Sequence, residues 1–312
     1  MTVYTNFIGL DIGKFNFVVA NYGNKATKEY ENNLSGINSF LKDCKALLPH
    51  SLCVLETTGG YETRLLLTLC DKGFAVHRAN TQKVKNFIRS FGNRAKTDAL
   101  DAQALAFYGY ERGDRLTKFV PCSKKALDLY ELVQRRQDLK QMLIAEKNRF
   151  QAPRAKLIKG SCAVMIKVIT EQISSIDAEI DALIEDDSIL KAKKKTLITI
   201  PGIGNIIANE LLILMPELGK MNRREVASLA GLAPRANDSG KFVGYRRTGQ
   251  GRNTIKPILF LAAMAARNSK SQLATFYFDL IARGKKKMVA LVALMRKIIV
   301  IANAKLKTFA IA

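Results

Sequence analysis

Residues 6–22, Asn6-Phe7-Ile8-Gly9-Leu10-Asp11-Ile12-Gly13-Lys14-Phe15-Asn16-Phe17-Val18-Val19-Ala20-Asn21-Tyr22, decide the fold class. An apolar run turns at Gly13-Lys14 and resumes as Phe15-Asn16-Phe17-Val18-Val19, which predicts two joined strands. Asp11 is the anomaly in the first of them, because burying an unpaired carboxylate is costly. A second strand-like run, Leu52-Cys53-Val54-Leu55-Glu56, also ends on an acid. Around it, Ser35–Leu48 shows a helical period in Ile37, Phe40, Leu41 and Leu48. Tyr61–Lys72 predicts a helix, Phe74–Arg78 a strand, and Gln82–Phe91 and Asp98–Arg112 two more helices. A hairpin of strands followed by alternating strands and helices predicts a mixed α/β layer.

In Lys96-Thr97-Asp98-Ala99-Leu100-Asp101-Ala102 the two aspartates are three apart, hence on one helix face. Thr97 is the expected N-cap, with both acids in the first turn. Leu100, Ala104 and Phe107 are expected on the opposite, packed side. The helix dipole alone favours acids at Asp98 and Asp101, but it does not explain Asp11 or Glu56. Together the four are the acids that an RNase H-like nuclease or recombinase core gathers to hold Mg²⁺ against a phosphodiester. Mg²⁺ prefers carboxylates and water, so a set without His or Cys suits it. Gly59-Gly60, just past Glu56, would let the backbone approach a substrate closely.

The formal charge of +23 over 312 residues points to a polyanionic partner, DNA or RNA. It is unevenly spread. Residues 1–110 carry about +4, whereas the last 94 residues, from Gly219, carry about +16 with only 3 acids. The five cysteines show no C-x-x-C spacing and the two histidines, His50 and His77, lie far apart, so a zinc site is not expected. Reduced thiols in a cytosolic protein are the expectation. No leader-like pattern opens the chain. The apolar stretches Ile258–Ala266 and Met288–Ala302 are bounded or broken by Lys256, Arg267 and Arg296-Lys297, so no membrane span is expected.

Past Pro121 the pattern becomes helical. Ile166, Ile169, Ile173, Ile176, Ile180 and Leu183 follow the 3-4-3-4-3 spacing of a coiled-coil seam. An earlier helix, Lys124–Phe150, could pack antiparallel on it, and the seam suits a hairpin within the chain as well as a dimerisation arm. Ile200-Pro201-Gly202-Ile203-Gly204, between two helical runs, reads as a helix-hairpin-helix turn whose amides can meet phosphate. Helix Arg223–Leu232, a polar glycine-rich stretch Pro234–Asn253, and helices Thr254–Ala266 and Lys286–Leu306 complete the expectation. It has three parts: 1–120 α/β, 121–190 a helical coiled coil, and 191–312 mainly α and basic.

With these residues in view, the chain resembles the insertion-sequence recombinases that carry an Asp-Glu-Asp-Asp RuvC-like domain and a C-terminal serine-bearing transposase domain. These are bridge-RNA-guided recombinases, relatives of the pilin-gene invertase. Gly9-Leu10-Asp11-Ile12-Gly13-Lys14, Leu55-Glu56-Thr57-Thr58-Gly59 and Lys96–Ala102 match the first domain. Ile200–Gly204, Gly231-Leu232-Ala233-Pro234-Arg235, Asp238-Ser239-Gly240, Arg246-Arg247 and Gly251-Arg252 match the second, and Gly284-Lys285, Met295-Arg296-Lys297 and Asn303-Ala304 its closing helices. Thr248-Gly249-Gln250 departs from the pattern, where an aromatic residue and a second glycine are expected.

The resemblance implies that Asp11, Glu56, Asp98 and Asp101 bind Mg²⁺ and that Ser239 attacks DNA to give a phosphoserine link. It also implies donor and target DNA, a noncoding RNA, a homo-oligomer with an active site completed between protomers, and a cytoplasmic location at the nucleoid. On the residues themselves, Ser239 within Asn237-Asp238-Ser239-Gly240 also suits a plain turn. Its neighbours Arg235, Lys241, Arg246, Arg247 and Arg252 could steady a phosphate in either case, as could the amides at Gly202 and Gly204. A junction-resolving nuclease using water, a non-catalytic binder and an actin-like sugar kinase are the competing readings. The first leaves Ser239 idle, the second leaves the four acids unexplained, and the third lacks further phosphate loops.

Overall fold

The first strand, β1 (Asn6–Ile12), has no side chain at Gly9, and a helix lies directly on that gap. The computed structural model describes residues 4–91, 97–121, 123–153, 156–240 and 242–309. The chain divides into two compact units, Met1–Cys122 and Ser123–Ala312.

In the first unit β1 pairs antiparallel with β2 (Asn16–Asn21), and β2 antiparallel with β3 (Thr27–Glu31). On its other edge β1 pairs parallel with β4 (Ser51–Glu56), and β4 parallel with β5 (Ala75–Ala79). The sheet order is therefore β3-β2-β1-β4-β5, the mixed α/β layer expected. β3 was not expected. Its Thr-Lys-Glu-Tyr-Glu sequence buries only Tyr30, as suits a charged edge strand.

The two faces of the sheet separate by the period of two. Ile8, Leu10, Ile12, Cys53 and Leu55 pack in one apolar cluster with Ile37 and Phe40 of α1 (Leu34–Asp43) and Leu65, Leu66 and Leu69 of α2 (Thr63–Asp71). The helix predicted over 35–48 stops at Asp43, and Leu48–His50 forms a separate 3-10 turn with Pro49 at its start. On the opposite face Leu52 and Val54 meet Val84 and Phe87 of α3 (Thr81–Ser90) and Leu105 of α4 (Asp98–Arg112).

The second unit begins with α5 (Lys124–Gln151) and α6 (Lys159–Glu185), which pack on each other as a hairpin. α7 (Ser188–Ile198), α8 (Asn205–Leu214), α9 (Arg223–Leu229), α10 (Ile255–Arg267), α11 (Gln272–Ala282) and α12 (Lys287–Lys305) follow. Between α9 and α10 a two-residue ladder pairs β6 (Pro234–Arg235) with β7 (Arg247–Thr248). α11 was not expected. Leu129 and Val133 of α5, and Ile180 and Ile184 of α6, join one buried core with residues from α7 to α12. The segment 121–190, set off in the sequence as a helical part, thus lies in the same compact unit as 191–312. Within the seam, Ile169 and Ile180 are buried and Ile166, Ile173, Ile176 and Leu183 half-buried.

A buried polar cluster fixes the hairpin's base. Arg136 of α5, only 3% exposed, pairs with Asp177 of α6 and donates to Glu210 of α8 at 3.0 Å. Asp181 accepts from Lys194 at 2.8 Å and Asn209 at 2.7 Å. Burial pushes the Asp181 carboxyl up, but the Lys194 and Asn209 hydrogen bonds outweigh it and hold the group below its ordinary range. Glu210 shifts the other way, because there burial dominates and raises the carboxyl even beside Arg136. Among the described residues no helix is long and apolar enough to cross a membrane.

Candidate functional site

Three positions of β1 face α4: Phe7, Gly9 and Asp11. A Cβ on Gly9 would stand 2.0 Å from the Ala102 carbonyl oxygen and 2.4 Å from the Ala106 nitrogen. Further along the helix, Gly109 meets the Val54 side chain and Phe7, and Gly113 meets Phe7. The helix therefore runs antiparallel to β1, with its first turn toward the strand's C-terminal end, where Asp11 stands. In β4 the same alternation puts Glu56 on the face of Leu52 and Val54. Leu10 pairs with Leu55 in parallel register, so the next residues, Asp11 and Glu56, end up side by side on neighbouring strands.

α4 completes the frame. Its buried stripe is Ala102, Leu105, Ala106 and Gly109 with Tyr108, and Asp98 and Asp101 precede Ala102 and Leu105 by one turn each. Asp11 and Glu56 thus end neighbouring strands, and Asp98 and Asp101 lie in the first turn of the helix whose start faces that end. Thr97 is the N-cap, its hydroxyl accepting from the Leu100 amide at 3.3 Å, as expected. The expectation for Leu100, Ala104 and Phe107 is corrected. The packed side of α4 is the stripe of Ala102, Leu105, Ala106 and Gly109, whose small residues let the helix approach Gly9. Leu100, Ala104 and Phe107 instead line a depression with Phe87 and Phe91, and Asp101 lines it too.

Four carboxylate groups would offer hard oxygen donors, which suit a divalent cation of the Mg²⁺ type. Among the described residues, no group of three or more His, Cys, Asp or Glu side chains is drawn together tightly enough to hold an ion.

Glu62 escaped the sequence reading. It is fully buried, pairs with Arg78 of β5, and accepts from the Thr58 amide at 3.2 Å, the Thr58 hydroxyl at 3.1 Å and the Gly60 amide at 3.0 Å. It thereby shapes the loop that leaves Glu56, in which Gly59 and Gly60 have φ of +74° and +107°. An acid at a helix start beside a Gly-Gly pair was the available signal. Burial pushes the Glu62 carboxyl up, but its own amide, the Arg78 guanidinium and the Thr58 amide together hold it below the ordinary range. A depressed native value stabilises the fold above the unfolded-state value, and that stability is lost as pH falls through the native one. Glu62→Gln should therefore cost about 2 kcal/mol near neutrality. It should also flatten the acid limb of the stability–pH curve, both read by urea unfolding.

In the second unit Ser239 lies exposed at a tight turn. Its amide donates to the Phe242 carbonyl at 3.0 Å, and the Phe242 amide donates back to the Ser239 carbonyl at 2.9 Å. Asp238 accepts from Arg246 with both oxygens at 2.7 Å and from the Gly244 amide at 3.1 Å. Arg235 and Arg247 stand opposite each other across β6 and β7. Arg235 also donates to Gln250, which alone among described non-glycine residues has left-handed backbone, at φ 57°. Gln250 lies in the departing triplet, so the loop retains a conformation that glycine adopts most easily.

Arg252 is turned away to a structural task. It donates to the Leu214 carbonyl at 2.7 Å and to Glu217 at 2.8 Å. Lys241 lies outside the described residues. Gly202, at φ +90°, carries the turn between α7 and α8 against α10, where a Cβ would meet the Ala262 carbonyl at 2.2 Å. Gly204 is exposed at the N-cap of α8, with open space around it.

Residues 8–153 match the family profile described as a transposase, of the DEDD type of IS110, and residues 194–278 match the transposase IS116/IS110/IS902 family. The pilin gene-inverting proteins of Moraxella lacunata and Moraxella bovis are each 28% identical over 262 residues, covering 81% of this chain and 79% of theirs. An insertion element IS110 protein of Streptomyces coelicolor is 30% identical over 153 residues, 48% of this chain and 37% of that one. The chain belongs to the IS110 family of transposases and is a DNA recombinase.

Proposed function

We propose that this enzyme cuts and rejoins donor and target DNA under the direction of a noncoding RNA, using the four acids as a Mg²⁺ site and Ser239 as a covalent nucleophile. The observation that best supports this reading is that Asp11 and Glu56 end neighbouring parallel strands while Asp98 and Asp101 lie in the first turn of the helix whose start faces that end. Three antiparallel strands followed by two parallel ones, with the acids on the central pair and the covering helix, support an RNase H-like core of the RuvC type. Mg²⁺ held by the four carboxylates would neutralise developing charge on a phosphodiester oxygen.

At the other centre, the Ser239 hydroxyl oxygen bonds to phosphorus as one phosphorus–oxygen bond to the strand breaks. The serine proton departs, and the leaving strand oxygen takes one up. Attack by a strand hydroxyl reverses the exchange and frees Ser239, so the number of phosphate ester bonds is conserved. Arg235 and Arg247, like charges directly across a two-strand ladder, repel until an anion joins them. Phosphate would relieve that repulsion. Arg246 and Lys241 belong to the same loop, and Arg252 acts indirectly by tying the loop's end to α8.

The α7–α8 turn serves as a helix-hairpin-helix element. Gly204 presents the first amides of α8 to phosphate, and Gly202 seats the turn on α10. The exposed apolar side chains Met142 and Ile144 on α5, with Val164, Met165 and Val168 on α6, suit coiled-coil pairing with a second copy. In such an assembly the acids of one protomer would work with Ser239 of another. The enzyme would act in the cytoplasm, on nucleoid DNA.

Programmed inversion is the second reading, favoured by the two Moraxella relatives named for inverting a pilin gene. The reaction class is tested by denaturing the protein during reaction with labelled DNA. A protein–DNA adduct that resists denaturation is expected, and its absence alongside strand cleavage would assign the chemistry to water. A separate expectation follows from the charge of the region beyond Gly219. Log K for duplex DNA should fall with log salt by roughly 0.9 per neutralised phosphate. A flat salt profile in a filter-binding assay would show that these cations do not meet the backbone.

A further inference from the structure

The loop that carries Ser239 also carries the most exposed run of apolar side chains between β6 and β7. Phe242 is 69% exposed, Val243 77% and Tyr245 71%. None of the three joins the buried cores formed by the described residues. The backbone between them is not loose. Gly244 is buried where a Cβ would stand 2.0 Å from the Asn237 carbonyl oxygen, and its amide is held by Asp238. The paired hydrogen bonds between Ser239 and Phe242 fix the phenylalanine directly across the turn from the serine.

Holding three apolar side chains out in water on a well-tethered loop has no folding benefit, and such exposure usually marks a contact surface. The charge of the loop selects the partner. Residues 234–253 contain five basic side chains and one acid, Asp238, which is already bound to Arg246. Aromatic rings interleaved with cations suit nucleic acid, because rings stack on bases while guanidinium groups meet the backbone. Protein partners would find little apolar area here and a cationic rim.

We infer that Phe242 and Tyr245 are a base-stacking platform, which holds unstacked bases of a DNA strand beside Ser239 and so positions the neighbouring phosphate. Val243, between them, fills the space against the sugar edges. The inference rests on the reading of this loop as the DNA-contacting one, but not on Ser239 being the nucleophile. Both rings are positioning residues.

The absence of tryptophan from the chain makes a direct test available. Phe242→Trp and Tyr245→Trp, each placed in the full-length Ser239→Ala protein, give single fluorescent reporters. Titration with a short oligodeoxythymidylate should quench the emission of both. Separately, Phe242→Ala and Tyr245→Ala should each weaken single-strand affinity roughly tenfold or more. Because their side chains are exposed, both should melt like the parent. The salt slope should be unchanged, since no phosphate contact is removed.

A complex that forms without quenching of either tryptophan would overturn the inference. So would alanine variants that bind the oligonucleotide as the parent does. If the alanine variants instead change the oligomeric state in sedimentation, the surface belongs to a second copy of the chain and the inference fails. Quenching that persists in Ser239→Ala while the parent forms no adduct would sink the covalent reading alone.

Discussion

Asp11→Asn and Asp101→Asn should each reduce strand cleavage by about a thousandfold, the scale of losing one fixed electrostatic partner of a transition state. Nucleic-acid affinity should stay near that of the parent, or rise, because a negative charge beside phosphate has been removed. The two substitutions sit on different elements, one at the end of β1 and one in the first turn of α4. A common phenotype therefore tests the shared site and not a local defect of either element. Thermal unfolding of both variants checks that the sheet–helix packing at Gly9 survives. Cleavage retained by either variant, with Mg²⁺ supplied, would remove that residue from the site. Cleavage retained by both would leave the acid cluster without a catalytic role.

Ser239→Ala should abolish the covalent adduct and lower strand exchange by roughly 10⁶-fold, the scale of deleting a covalent nucleophile. Folding should be unaffected, since Ser239 is exposed and its recorded turn bonds to Phe242 run through the backbone. An adduct that persists in this variant moves the chemistry to another side chain. The same protein reports on assembly. The acids lie in the unit Met1–Cys122 and Ser239 in the unit Ser123–Ala312, and under the proposal above one chain's acids would serve another chain's serine. Mixing Asp11→Asn with Ser239→Ala should restore activity absent from both, once tagged chains have been shown to exchange. A mixture that exchanges and stays inactive would rule out a shared site in which one intact pairing suffices.

Much of the first unit was legible because its elements are short and their periods clean. The strand ending at Glu56 was found to within one residue of its start, and the helix over 98–112 at the residues it occupies. β3 was missed because an edge strand needs only one buried side chain, and Tyr30 alone leaves no alternation to see. α11 was passed over in a stretch where the apolar helices on either side, α10 and α12, carry the stronger pattern. The isoleucine spacing was read as a coiled-coil seam, and spacing alone did not say whether its partner was α5 or a second chain. Burial of Ile169 and Ile180 within the unit gives α5 that place.

The sequence by itself singled out the candidate residues: acids lodged at the ends of apolar strands, acids in a capped first turn, and a serine among arginines. Burial cost and charge are local properties, so they show in one dimension. Only the tertiary structure decided which face of α4 meets the sheet, because that depends on the absence of a side chain at Gly9, a residue 93 positions before Ala102. It decided likewise that Glu62 holds the loop after Glu56 and that Arg252 is spent on Glu217. A cation's partner is chosen by proximity in space, and no spacing along the chain encodes that.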